Sequence, residues 1–74
     1  MNGIEDRAAF AKILMDKVRE DRYPSNNMMN IVEAVVPPQL VPEYLDILLE
    51  KISNDRFPSI PMLRRIQRVV SFMP

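Results

Sequence analysis

An all-α fold is predicted by three observations in this 74-residue sequence. The chain lies on itself when shifted by 34 residues, apolar residues recur at helical spacing in four stretches, and proline falls between those stretches. From 10 to 36, ten of the 27 positions are identical to those of 44–70, among them Ile13-Leu14 on Ile47-Leu48, Met28 on Met62 and Val35-Val36 on Val69-Val70. The best-matched segment is Asp21-Arg22-Tyr23-Pro24-Ser25 on Asp55-Arg56-Phe57-Pro58-Ser59. A repeat of this length is one supersecondary unit, and no single hairpin buries all its apolar surface. The expected architecture is therefore four short helices in two tandem helical hairpins forming one compact bundle. It is read as a single domain over 1–74, with repeat one at about 4–37 and repeat two at about 38–74. Both a closed pseudo-twofold bundle and an open solenoid satisfy this pattern.

The first helix is expected from about Asp6, as its cap, to Glu20, with Phe10, Ile13, Leu14 and Val18 on one side. A second follows Pro24, with Ser25 as N-cap and Met28, Met29, Val32, Val35 and Val36 inward, and ends at Pro37-Pro38. The third starts near Pro42, tolerated in a first turn, and runs to about Asn54 with Tyr44, Leu45, Leu48, Leu49 and Ile52 apolar. The fourth begins after Pro58 with Ser59 as N-cap and carries Met62, Leu63, Ile66, Val69, Val70 and Met73 as its stripe. The period matches that of tetratricopeptide repeats. Their Gly and Ala at the helix crossing are replaced here by an Arg-aromatic-Pro-Ser turn, so the likeness stops at the period.

That turn is read as structural in both copies. Pro24 and Pro58 stop a helix, and Ser25 and Ser59 accept from the next helix's free N–H groups. Tyr23 and Phe57 are expected to fold inward, and Arg22 and Arg56 to serve the preceding helix C-terminus. Asp21 and Asp55 oppose that dipole, so each needs a partner, most simply an arginine.

Composition narrows the chemistry. The chain has no Cys and no His, which removes disulfides, thiolate metal sites and both the Ser-His-Asp and Cys-His nucleophilic arrangements. The one glycine is Gly3, so there is no Gly-rich phosphate loop. Asp16 with Glu20, and Asp46 with Glu50, read as solvated helix faces, with Lys17 and Lys51 near enough for weak pairing. No enzyme activity, cofactor, metal or small-molecule substrate is expected. The acidic start Met1 to Asp6 lacks the basic and apolar regions of a secretory signal, and no apolar run spans a membrane, so a cytoplasmic setting is expected.

Function is sought where the copies part. Asn30, Ile31 and Ala34 of repeat one become Arg64, Arg65 and Arg68 in repeat two, a ridge expected to be solvent-accessible. Net charge is zero, yet residues 59–74 carry these three arginines and no acid. The expectation is a small non-catalytic protein-protein interaction module, an adaptor, regulatory or assembly subunit. It would bind a protein partner or itself as a homo-oligomer through apolar helix surface and this ridge, with Arg64, Arg65, Arg68, Ile31 and Met73 as contacts. The alternative is a small nucleic-acid-binding regulator using the last helix; about three phosphate contacts give a salt slope near −2.7, a weak footprint. A membrane is disfavoured, because the last helix needs its apolar stripe for the core.

Overall fold

The computed structural model describes residues 3–73. The protein is all-α, with helices α1 (Gly3–Glu20), α2 (Asn26–Val35), α3 (Val41–Asn54) and α4 (Ile60–Ser71), and a 3-10 turn over Pro38–Leu40 before α3. The described residues contain no strand. The chain divides into two compact units, Met1–Leu40 and Val41–Pro74, in which α1 packs on α2 and α3 on α4. Helix α1 starts earlier than expected, so Asp6 sits in its first turn rather than at its cap. There its charge favours the helix N-terminus.

The two elbows are built alike, one per unit. Asp21 Oδ1 accepts from the Tyr23 N–H at 3.0 Å and Asp55 Oδ1 accepts from the Phe57 N–H at 3.1 Å, so each Asp bonds the backbone two residues on. Ser25 Oγ accepts from the Met28 N–H at 3.0 Å, and Ser59 Oγ from the Met62 N–H at 3.2 Å, each from an extended backbone. Each Asp carboxylate thus has a backbone N–H as a partner, a bond the sequence reading did not include. Arg22 and Arg56 do not turn back to the helix end; each guanidinium carbon lies 5.5 Å from the centroid of the next ring. Tyr23 and Phe57 are also corrected: at 69% and 79% exposure they face solvent instead of sealing the hairpin. Pro and the Asx bond already close the turn, so the ring is not needed for it. Replacing Ser59 with alanine is expected to cost about 1 kcal/mol. A thermal melt followed by circular dichroism checks this, with the midpoint falling by about 4–8 °C.

Unit one has a side-chain tie between α1 and the end of α2. The last turn of α2 has no basic residue, and Arg7 of α1 supplies the cation: its Nε donates to the Val35 carbonyl at 2.6 Å and its Nη2 to the Val36 carbonyl at 3.4 Å. The matching place in repeat two is Val41. At the end of α4, Ser71 Oγ donates to the Arg68 carbonyl at 2.6 Å and the Phe72 N–H to the Val69 carbonyl at 3.1 Å.

Buried apolar side chains are Ala11, Met15 and Val18 of α1, Met29 and Val32 of α2, Tyr44, Leu45, Ile47 and Leu48 of α3, and Ile66 and Val69 of α4. Burying one such large side chain stabilises by about 1.5–3 kcal/mol. The stripes are rotated from those expected. On α1, Phe10 and Ile13 are exposed and the covered row is Ala11, Met15 and Val18, at i, i+4, i+7. On α3, Leu49 is exposed and Ile47 is covered.

The rotation has opposite sense in the two copies. Ile13 is 58% exposed while its equivalent Ile47 is 2% exposed; Phe10 is exposed while Tyr44 is fully buried. Met29 is 1% exposed and its equivalent Leu63 38%; Met15 is buried and Leu49 exposed; Ile31 is exposed and Arg65 buried. Each repeat leaves open the flank that its twin covers.

Candidate functional site

Helix α4 carries the three arginines on a segment that Ser59 caps, with Pro61 in the first turn, where its missing N–H costs nothing. They do not form one ridge. Arg65 is only 5% exposed, whereas Arg64 and Arg68 are open to solvent. The reason is register. Met62, Arg65, Ile66, Val69 and Met73 follow the i, i+3, i+4, i+7, i+11 spacing, and all five are buried or half-buried. Arg65 thus lies within the covered arc; its Nε is buried and makes no hydrogen bond among the described residues, while the residue is partnered through other atoms.

The outward arc of α4 is mixed. Ile60, Leu63 and Val70, at i, i+3, i+10, are exposed and share one side of the helix with Gln67. Arg64 and Arg68, one turn apart, border that row. The helix itself has no acidic residue, and Arg64 and Arg68 are the charged side chains beside this row on α4. A strip of this composition matches an apolar contact whose rim is acidic, and each guanidinium offers a planar fork to a carboxylate.

The remaining expected contacts are scattered. Ile31 is exposed on α2 in unit one. Met73, past the end of α4, is half-buried, and the neighbour that stands open is Phe72, at the C-cap. Ile60, Leu63, Val70 and Phe72 were not singled out from the sequence as contacts. A signal existed: the apolar residues of α4 span an arc too wide for one buried stripe, so part of it had to face out.

Among the described residues no three acidic side chains gather into a group that could hold a metal ion. Asp16 is paired with Arg19, Oδ1 to Nη1 at 3.1 Å, rather than with Lys17. No helix of the described residues is long and apolar enough to cross a membrane. The chain matches no protein-family model, no curated protein and no solved structure.

Proposed function

We propose that this chain is a small non-catalytic interaction module, working in the cytoplasm, that docks a protein partner on the outward side of α4. The observation that carries the reading is the exposed Ile60, Leu63 and Val70 row bordered by Arg64 and Arg68. Apolar side chains supply the buried centre of such a contact and the arginines its charged rim. The sequence supports it from the other direction, since a chain without His or Cys lacks the usual nucleophile-base pairs.

The nucleic-acid reading loses ground with Arg65 buried. Two exposed guanidiniums neutralise about two phosphates, for a salt slope near −1.8. That footprint by itself supports only weak binding of DNA or RNA at physiological salt.

The test compares wild-type chain with Leu63→Asp and with the Arg64→Ala, Arg68→Ala pair as immobilised baits, each first shown to be folded by circular dichroism. A stoichiometric partner retained by wild type and lost by both variants is the expected result. Equal retention by all three, or none by wild type, sinks the proposal. A gel shift at low and moderate salt with the same proteins serves the alternative, which needs a shift that the double arginine variant abolishes.

A further inference from the structure

We infer that the partner of the α4 surface presents an acidic amphipathic α-helix, laid along α4 in a short coiled-coil contact. This rests on the reading of α4 as a docking surface and names the partner's chemistry. Spacing carries the shape. Ile60, Leu63, Gln67 and Val70 are all exposed and follow i, i+3, i+7, i+10, the alternation of three and four that makes an a/d seam. The covered arc of the same helix, Met62, Ile66, Val69 and Met73, is a separate row at i, i+4, i+7, i+11, in the unit where α4 packs on α3. A helix with one neighbour needs one such row, and α4 has two. Successive members of the outward row lie about 5 Å apart along the axis, and the whole row spans about 15 Å. An extended segment presents side chains on one face about 6.7 Å apart, so it falls out of step by about one side chain over that length. A second helix keeps step throughout. Gln67 fits the same geometry, since a polar residue at one seam place fixes register in helix pairs.

Charge carries the sign. Arg64 and Arg68 lie on one flank of the row, one turn apart, and both are exposed. Among the described residues no carboxylate pairs with either guanidinium, and α4 has no acid of its own. A partner helix with Asp or Glu one turn apart on the facing flank meets both forks, whereas Lys or Arg there sets like charges together. Repeat one shows that the hairpin does not require these features. The places matching the row on α2 are Asn26, Met29, Glu33 and Val36, and those matching the arginines are Asn30 and Ala34. Two row members are thus polar in repeat one and both flank positions uncharged, so seam and arginines occur together in repeat two only.

The probe is a synthetic three-heptad peptide with Ile at a, Leu at d and Glu at e and g, whose like charges oppose its own pairing at neutral pH. It is titrated against the purified full chain, with binding read by anisotropy and helix content by circular dichroism. The expected result is binding with a gain of helix beyond the sum of the separate spectra. A peptide with Lys at e and g is expected to bind at least about tenfold more weakly. The Glu peptide rearranged to alternate apolar and charged residues is expected not to bind. Leu63→Asp, first shown to be folded, is expected to abolish binding of the Glu peptide. Arg64→Ala with Arg68→Ala is expected to bring the Glu and Lys peptides within about threefold of each other.

No binding of the Glu peptide overturns the proposal, as does binding without helix gain, equal binding of the Glu and Lys peptides, or binding that survives Leu63→Asp. Loss of the fold in Leu63→Asp overturns it too, because the row then belongs to the chain's own packing. Sedimentation of the chain alone covers the remaining occupant: self-association that Leu63→Asp abolishes places a second copy on the row instead. The underlying reading fails separately. If capture by the wild-type bait needs Leu63, Arg64 and Arg68 while the Glu peptide does not bind, only the helical occupant falls; if Leu63→Asp alters neither capture nor peptide binding, both fall.

Discussion

Leu48→Ala is expected to lower the free energy of unfolding by about 2–5 kcal/mol, while the neighbouring Leu49→Ala changes it by less than about 1 kcal/mol. Leu48 is fully buried and Leu49 is 41% exposed, although both are leucines on one amphipathic helix. For a domain of this size total stability is about 4–11 kcal/mol, so the first substitution removes a large share of it. The duplication makes the experiment sharper. In repeat one the equivalents are Leu14, half-buried, and Met15, fully covered. The order of effects is therefore expected to invert, with Met15→Ala costing more than Leu14→Ala. Urea unfolding of the four variants reads it directly. Equal costs at equivalent positions would mean that the two repeats cover the same flank, against the exposures seen here.

What was legible in the sequence was the set of helices and where they stop. Proline at Pro24, Pro37 and Pro58, and serine at Ser25 and Ser59, act locally, through backbone geometry and one hydrogen bond each, so a string of letters is enough to place them. The elbows show the limit of that. The serine caps were foreseen, but the Asp21 and Asp55 bonds to the backbone were not, nor was the direction of Tyr23 and Phe57, because an aromatic ring beside an arginine is satisfied either packed inward or stacked under the guanidinium.

The facing of each stripe was the part that local reasoning missed. α1 offers two apolar rows more than a third of a turn apart, one through Phe10 and Ile13 and the other through Ala11, Met15 and Val18. Propensity and periodicity rank them equally; tertiary packing decides, and it decides differently in each repeat. The same blindness placed Arg65 with Arg64 and Arg68. Charge marks a residue as a surface candidate, but a stem of three methylenes lets arginine occupy a covered position when its neighbours at i−3 and i+4 are Met62 and Val69.

Arg65→Glu is accordingly expected to destabilise by about 3–5 kcal/mol, because it sets an opposite charge into a covered position that a cation and its partner now occupy. Arg64→Glu and Arg68→Glu are expected to stay within about 0.5 kcal/mol of wild type, since both side chains are solvated. Arg65→Met separates stem from charge. It retains the packing of the stem and removes the need to bury a guanidinium, so its stability is expected to lie within about 1.5 kcal/mol of wild type. Denaturant unfolding of the four variants, paired with partner capture by the wild-type and double-arginine baits, is expected to assign the three arginines to two jobs: Arg65 to stability, Arg64 and Arg68 to docking. Three equal and small stability effects would instead return Arg65 to the surface, and with it the single basic ridge that the sequence first suggested.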